Sequence, residues 1–325
     1  MLFAGTIGTT TADVLKVNLG PRPAAMGGAF TASANDLNAF QFNPAGIQRI
    51  YHSQLALSHF TSVGEIRYES LAYAEPLGPS RSVGIFATYR HMPPIDNENL
   101  YPAVKASDLF IGVGFGQQIG KGSVSGRKMR VGGNVKFIQS TLGGVTARSF
   151  ALDLGFQFER VFKKLDFGLA VQNLGTPMKF IEESDPLPLF IRVGFAYPIQ
   201  FGKVETVFAV DSTKPMDSLI KIDIGNETWL FERKVAFRLG YSVEAAVTVD
   251  FDANGLPLKD TAKFKLNPGV GNLFANIAMG FGFEHEKRAI KYKIDVSYNP
   301  ARYATTVEST FLIGFTLIFK RFHIL

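Results

Sequence analysis

The chain has 325 residues, of which 34 are Lys or Arg and 28 are Asp or Glu, so its formal net charge is +6. It contains 32 Gly, 30 Phe and no Cys, which excludes disulfide scaffolds, cysteine-ligated metal centres and thiol catalysis. No apolar stretch reaches the roughly 18 residues of a membrane-spanning helix, and no basic run is long enough for a nucleic-acid-binding arm. We therefore expect no nucleic-acid partner.

The first 49 residues lack a regular period. From Asn18 onward they are rich in small residues, and Gly27-Gly28 and Asn43-Pro44-Ala45-Gly46 are the most compact runs. Small residues allow a backbone to pack closely against a wall, and side chains such as Arg22 and Asn43 can form hydrogen bonds there. The segment is therefore suited to packing inside a larger structure.

Residues 50–325 contain about fourteen runs in which large apolar residues alternate with small or polar ones. This period of two is the side-chain period of a β-strand. In the last run Phe311, Ile313 and Phe315 share one face, while Thr310 and Gly314 share the other. The predicted strands are 50–60, 65–75, 82–91, 107–119, 128–139, 147–158, 165–174, 188–198, 203–212, 218–230, 233–243, 274–285, 288–298 and 307–319.

The second face of these runs favours a membrane barrel. It combines Gly and Ala with charges of both signs, such as Asp153, Arg192 and Arg238. A transmembrane barrel needs bulky apolar side chains towards lipid and a polar lumen, with strands of about 9–11 residues. The pattern predicts an all-β fold, a transmembrane antiparallel β-barrel in the outer membrane of a Gram-negative-type bacterium, surrounded by outer-membrane lipid. A soluble all-β module is the alternative.

The connections predict two different rims. Every second connection is short, as outer-membrane barrels require. The longer, more polar connections are 92–106, 140–146, 175–187, 213–217, 244–273 and 299–306. Aromatic residues near the ends of the runs predict interfacial girdles. These residues are Tyr51, Tyr89, Tyr197, Trp229, Tyr241, Tyr298 and Tyr303.

The size of the barrel gives the N-terminal segment a role. A lumen enclosed by about fourteen strands is wider than its own side chains fill. We therefore expect residues 1–49 to form a plug, or hatch, inside a barrel of residues 50–325. The predicted plug residues are Arg22, Met26, Gly27, Gly28, Asn43, Pro44 and Ala45.

Four motifs occur in order along the chain. They are Gly20 to Phe30 followed by Asn43-Pro44-Ala45-Gly46, Val171-Gln172-Asn173-Leu174-Gly175, Asp185-Pro186-Leu187-Pro188, and Arg238-Leu239-Gly240-Tyr241. Together they resemble the PorV/PorQ family, relatives of the FadL-like fatty-acid transporters, over nearly the whole chain. The resemblance implies a fourteen-stranded barrel with Asn43, Pro44 and Ala45 in a lumenal hatch. PorV-type members serve type IX secretion by escorting cargo from the translocon to the cell surface.

Signatures of catalysis are lacking, and we predict that the chain is not an enzyme. Its five histidines have no metal-like spacing, and there is no Gly-x-Ser-x-Gly motif. One local pattern resembles the first half of a calcium loop, with candidate ligands Asp250, Asp252 and Asn254 before Gly255. Because Thr261 replaces the closing Glu, a polar turn without a metal is the alternative.

Two functions follow from these observations. In the first, surface loops 92–106, 175–187 and 244–273 bind a secretion translocon or a secreted cargo protein. In the second, the barrel takes up hydrophobic small molecules such as long-chain fatty acids. Three phenylalanines on the otherwise small or polar face would line a lumenal pocket or pack against the plug. The candidate pocket residues are Phe86, Phe110, Phe190, Arg192 and Arg238.

Overall fold

The computed structural model describes residues 10–97, 100–119, 127–248, 263–267, 276–303 and 306–320. Fourteen antiparallel strands, β1 to β14 in chain order, each overlap one of the predicted runs. Their bounds are Ser53–Thr61, Arg67–Pro76, Arg81–His91, Ala106–Ile119, Met129–Leu142, Val145–Phe162, Leu165–Gly175, Phe190–Phe201, Val204–Pro215, Lys221–Leu230, Val235–Thr248, Ile277–Lys287, Ile290–Tyr303 and Thr306–Phe319.

Each barrel strand pairs with its neighbours in sequence, and β1 pairs with β14, so the sheet closes. The predicted all-β class and the strand count are therefore confirmed. Closure leaves none of the fourteen barrel strands with an unpaired edge. Five short strands lie outside the fourteen. Ile95–Asn97 pairs with Leu100–Val104, Met178–Lys179 pairs with Ser184–Asp185, and Lys263–Asn267 extends the pairing of β11.

Alternation along each strand separates an apolar outer face from a polar inner face. On β6 the outward Phe150 is 60% exposed, whereas Asp153 on the inner face is fully buried. The exposed face carries Phe, Leu, Ile and Val around the whole barrel. Water would penalise such a continuous apolar surface, whereas the hydrocarbon of a bilayer matches it.

The two rims differ as predicted, except at three connections, one of which is 120–128 on the short-turn rim, longer than 62–66 and 216–220 on the other rim. The short-turn rim carries the connections after even-numbered strands, and the long-loop rim carries those after odd-numbered strands. The predicted loop 140–146 is wrong, because β5 and β6 continue to a two-residue turn at Gly143 and Gly144. Both glycines have positive φ, of 57° and 88°, as a tight hairpin needs. The predicted loop 299–306 is shorter for the same reason, since β13 and β14 extend into it.

The N-terminal segment, residues 10–50, folds into short helical pieces. The α-helices are Pro21–Ala25 (α1) and Ala39–Phe42 (α2), and the 3₁₀ helices are Asp13–Lys16 and Pro44–Arg49, with a further 3₁₀ helix at Val63–Glu65 between β1 and β2. Across the described ranges, no helix is long and apolar enough to cross a membrane.

Nearly all of the N-terminal segment is buried. The 3₁₀ helix Pro44–Arg49 lies against β3 to β6, whereas α1 lies against β11 to β14. These two groups of strands are on opposite sides of the closed sheet, so the segment crosses the space that the sheet encloses. Its buried side chains, among them Met26, Phe30 and Phe42, form most of the apolar core.

Candidate functional site

Two predicted plug glycines bring the N-terminal segment into backbone contact with the barrel wall. Gly27 and Gly28 both have positive φ, of 67° and 101°. A Cβ atom on Gly240 of β11 would lie only 2.0 Å from the backbone nitrogen of Gly27. A Cβ on Gly225 of β10 would likewise lie 2.7 Å from the carbonyl oxygen of Met26. The contact therefore depends on glycine on both sides.

The predicted plug residues Asn43, Pro44 and Ala45 form the start of the 3₁₀ helix. The Asn43 side chain accepts a hydrogen bond from the Ala45 amide at 3.2 Å and caps this helix. Its Nδ2 donates to the carbonyl oxygens of Thr31 at 2.9 Å and Phe156 at 3.0 Å. Asn43 thus joins two parts of the N-terminal segment to β6.

Arg22, the remaining predicted plug residue, is the centre of a buried ion-pair network. Its guanidinium donates to both carboxylate oxygens of Glu227 on β10, at 2.8 and 2.6 Å. It also donates to Asp36 at 2.8 Å, while Glu227 accepts from Arg238 of β11 at 2.7 Å. Arg238 reaches Asp295 of β13 at 2.8 Å. Bidentate, charge-assisted bonds of this kind are among the strongest in proteins.

The network also shifts the pKa values of Asp36 and Arg22 in the N-terminal segment. Burial alone would raise the pKa of Asp36, but the charges of Arg22 and Lys293 outweigh it and lower that pKa to about 2. Burial opposes the charged form of Arg22 as well, yet Glu227 and Asp36 raise the pKa of Arg22 above its ordinary value. Both groups are therefore ionised at neutral pH, and each stabilises the other.

A second ion pair lies between the N-terminal segment and the long-loop rim. Lys16 contacts Asp217, in the connection between β9 and β10, at 2.7 Å, and Asp13 at 2.9 Å. Burial by itself would lower the pKa of Lys16. Its two carboxylate partners raise that pKa by more, so the net shift is upward. The pKa of Asp217 is lowered by the same bond against the effect of burial. The segment is thus attached at the rim as well as in the interior.

A cavity of about 230 Å³ lies between the N-terminal segment and β1 to β3. From the segment, Leu37 and Phe40 line it, and the Phe40 ring stacks on Phe86 of β3 at 4.8 Å. Ala56 of β1, Ala72 of β2 and Phe86 are adjacent in register on the inner face. The two alanines are small, so they leave space beside the aromatic rings.

The structure brings together three of the five predicted pocket residues. Phe86, Phe110 and Phe190 all line this cavity, and Phe86 also packs against Phe40 of the N-terminal segment. The two arginines lie elsewhere. Arg192 lies over the ring of Phe42 at 5.1 Å, and Arg238 belongs to the ion-pair network.

Trp229 was expected in an interfacial girdle, and that prediction is wrong. Its side chain is 2% exposed and lines the same cavity near the short-turn rim. Arg233 lies 4.7 Å and Arg238 5.6 Å from the ring centroid, in cation–π geometry. Side chains alternate between the two faces along β10, so Trp229 and Glu227, two residues apart, both lie on the inner face. For Trp229 this alternation outweighs the position near the strand end.

Sequence reasoning missed the cavity residues that come from the N-terminal segment and from the small face of β1 and β2. Leu37 and Phe40 belong to a segment without a period, so no spacing identifies them. Gln54 and Ala56 lie two residues apart on the inner face of β1. The alternation of this strand in the sequence could have placed both in the lumen.

A second cavity of about 450 Å³ opens towards the long-loop rim. Phe60 of β1 and Tyr68 of β2 stack in it with ring centroids 4.3 Å apart, and polar residues such as Asn18 and Lys221 line the rest. The larger cavity is thus mixed in polarity and lies between the N-terminal segment and the long-loop rim.

The candidate calcium ligands Asp250, Asp252 and Asn254 lie outside the described residues. In the part of the chain that the structure describes, no group of three or more His, Cys, Asp or Glu side chains is placed to hold a metal ion. The calcium site therefore stays a prediction.

Solved structures with the same fold are FadL-like barrels. The chain is similar to the monoaromatic hydrocarbon channel CymD, with a TM-score of 0.63, 12% identity and coverage of 94% of this chain and 98% of that one. It is also similar to the P. putida toluene transporter TodX, with a TM-score of 0.54, 12% identity and coverage of 93% of this chain and 98% of that one. For a Pseudomonas aeruginosa FadL homologue the TM-score is 0.54 and the identity 9%, with coverage of 98% of this chain and 100% of that one. The fold is thus that of a FadL-like fourteen-stranded barrel.

The family is established by sequence. The profile described as "Uncharacterised protein family (UPF0164)" matches residues 5–201, and the chain belongs to this family. Two relatives, each a UPF0164 protein of Treponema pallidum (strain Nichols), are 30% identical over an alignment of length 180 that covers 49% of this chain. The match covers 43% and 52% of those relatives, so the chain spans about half of their length. The FadL-like relationship is confirmed for the fold, whereas the PorV/PorQ assignment stays a prediction.

Proposed function

We propose that the protein is an outer-membrane barrel that binds small hydrophobic molecules in its lumen and passes them inward. The observation that carries this proposal is the cavity of about 230 Å³, lined by Leu37 and Phe40 of the N-terminal segment and by Phe86, Phe110 and Phe190 of the wall. Its aromatic and aliphatic part has the character of a small-molecule site, and polar side chains line the rest of the cavity. In this proposal the N-terminal segment is the hatch.

The position of the cavity supports passage as well as binding. It reaches Trp229 and Arg233 near the short-turn rim, while the mixed cavity at Phe60 and Tyr68 lies near the long-loop rim. A molecule that enters at the long-loop rim would cross the N-terminal segment to reach the other end. We propose that small movements of this segment connect the two cavities.

The structural neighbours are consistent with this proposal but do not carry it. TodX is a toluene transporter and CymD is a monoaromatic hydrocarbon channel. At 12% identity the likeness extends to the fold alone, so the choice of ligand must come from this chain's own cavity.

The proposal is tested by filling the cavity. Ala72→Phe adds a ring to the inner face beside Phe86, whereas Ile85→Phe adds bulk to the outer face of the neighbouring strand β3, away from the cavity, and is the matched control. We expect a Gram-negative host without its own FadL-type transporter to take up labelled toluene when it expresses the wild-type chain. Ala72→Phe should reduce uptake to near background, and Ile85→Phe should not. Equal uptake by both variants would contradict the proposal.

A second proposed function is the escort of secreted proteins, with a translocon or cargo bound at the long-loop rim. The observation in its favour is that connection 176–189 is an ordered surface element. Its hairpin, Met178–Lys179 with Ser184–Asp185, packs through buried Met178, and Pro186 accepts a hydrogen bond from the Thr11 amide at 3.1 Å. Cross-linking from Ile181, which is exposed at the hairpin tip, should capture a protein partner in the native membrane. Absence of any cross-linked protein would count against escort.

A further inference from the structure

The charged groups on the wall of the smaller cavity are all neutralised by the protein itself. Seven charged residues line the cavity, and each has an oppositely charged group within 3.1 Å. Charged groups that already have partners gain little from a ligand of opposite charge. The seven are Arg22, Asp36, Lys136, Arg233, Glu284, Lys293 and Asp295.

The charges also balance when the partners are included. The cations are Arg22, Lys136, Arg233, Arg238, Lys291 and Lys293. The anions are Asp36, Asp153, Glu205, Glu227, Glu284 and Asp295. Six positive and six negative groups leave no net charge, so a buried carboxylate or ammonium ligand would have no counter-ion of its own. Burying an unpaired charge is strongly unfavourable.

One carboxamide on the cavity wall remains available, and the indole N–H of Trp229 likewise has no hydrogen-bond partner among the described residues. Six carboxamide side chains line the cavity, and five of them form hydrogen bonds within the protein, namely Asn35, Asn38, Gln41, Gln172 and Asn173. The sixth, Gln54 of β1, makes no side-chain hydrogen bond to any residue that the structure describes. It lies two residues from Ala56 on the same inner face, at the edge of the apolar part.

We infer that the cavity selects uncharged ligands that have an apolar body and one hydrogen-bonding group, and that Gln54 binds this group. The inference deepens the proposed uptake function and rests on it. It excludes the carboxylates of free fatty acids as preferred ligands, although the resemblance to fatty-acid transporters implies them. A carboxamide can both donate and accept, so alcohols, amides and ketones of suitable size all fit Gln54.

The test compares three ring-sized probes that differ in charge and polarity. Toluene is apolar, benzamide is neutral and polar, and benzoate has nearly the shape of benzamide but is anionic at pH 7. Binding to the full chain in mild detergent is measured by isothermal titration calorimetry. We expect toluene and benzamide to bind, and benzoate to bind at least about 50-fold more weakly than benzamide, because its charge is buried without a partner.

Gln54→Leu keeps the size of the side chain and removes its hydrogen bonds. We expect it to weaken benzamide binding by about fivefold and to leave toluene binding unchanged, which also shows that the variant is folded. Gln200→Leu, on an exposed position of β8, is the matched control and should change neither.

The outcomes separate the inference from the proposed function. If toluene binds and benzoate binds as tightly as benzamide, the selection of uncharged ligands is overturned while hydrophobic uptake stands. If Gln54→Leu leaves benzamide binding unchanged, the assignment of Gln54 is overturned. If none of the three probes binds, the uptake function fails and the inference fails with it.

Discussion

Replacing Arg22 by Met should loosen the N-terminal segment without unfolding the barrel. Arg22 is buried and forms a bidentate pair with Glu227 and a further bond to Asp36. Removing one member of a buried ion pair costs about 3–5 kcal/mol, because the partner stays buried without its counter-charge. Here Glu227 keeps Arg238 at 2.7 Å and Asp36 keeps Lys293 at 3.6 Å, so we expect the lower end, about 3 kcal/mol.

The double variant Arg22→Met with Glu227→Gln tests this reasoning. It restores charge balance, so we expect it to regain about 1–2 kcal/mol of the loss. Limited proteolysis of the N-terminal segment and hydrogen exchange of its amides measure the loosening. Heat-modifiable migration on gels reports whether the barrel itself stays folded.

Two results would refute the reasoning. Protease protection of the segment in Arg22→Met equal to that of the wild type would show that the network does not hold it. A double variant less protected than the single one would show that geometry, rather than charge balance, dominates.

Three further predictions follow from particular contacts. Gly240→Ala should expose the segment to protease, because the added methyl would lie 2.0 Å from Gly27, whereas Gly133→Ala, with 3.2 Å to its nearest atom, should have a smaller effect. Since the pKa of Asp36 is lowered to about 2, its ionised form stabilises the fold above pH 4, and we expect up to about 2 kcal/mol to be lost as the pH falls towards 2. Asp36→Asn should remove that acid-dependent loss of thermal stability; an unchanged acid profile would contradict it. Phe315→Asp places a charge on the outward face, costs about 1–2 kcal/mol and should lower the yield of heat-modifiable barrel, while unchanged yield would argue against a lipid-facing side chain.

Most of the barrel could be predicted from the sequence because a strand has a period of two and its faces meet different surroundings. Phe311, Ile313 and Phe315 are on one face in the sequence pattern and in the structure. The ends of strands were less predictable. At Gly143-Gly144 two glycines allowed a tight hairpin, so a stretch that is polar in sequence continued the ladder instead of forming a loop.

Trp229 shows which of two sequence signals is stronger. Its position near the end of a run indicated an interfacial girdle, whereas its parity with Glu227 indicated the lumen. The hydrogen-bonded register of the whole strand fixes which face each side chain occupies, and a single residue cannot change face without a β-bulge. Parity should therefore be applied before position when aromatic residues of barrel strands are assigned.

The candidate site could be predicted only in its wall. Phe86, Phe110 and Phe190 were found because they break the small or polar pattern of the inner face. Leu37 and Phe40 were not found, because the segment that carries them is ordered by tertiary contacts rather than by a period. The bonds between Arg22 and Glu227 join residues 205 positions apart, which no local spacing reveals.

The attachment of the N-terminal segment and the proposed ligand selection have a common physical origin. A segment held by charged groups inside a barrel needs a counter-charge for each of them, since an unpaired buried charge would expel the segment. Once Arg22, Asp36 and Lys293 are paired across the interface, no cation on the wall of the smaller cavity is left over for an anionic ligand. A variant that removes one anion and leaves a positive charge in excess, such as Asp295→Asn, should therefore both loosen the segment and allow benzoate to bind. Admission of benzoate without loosening would show that the two properties are independent.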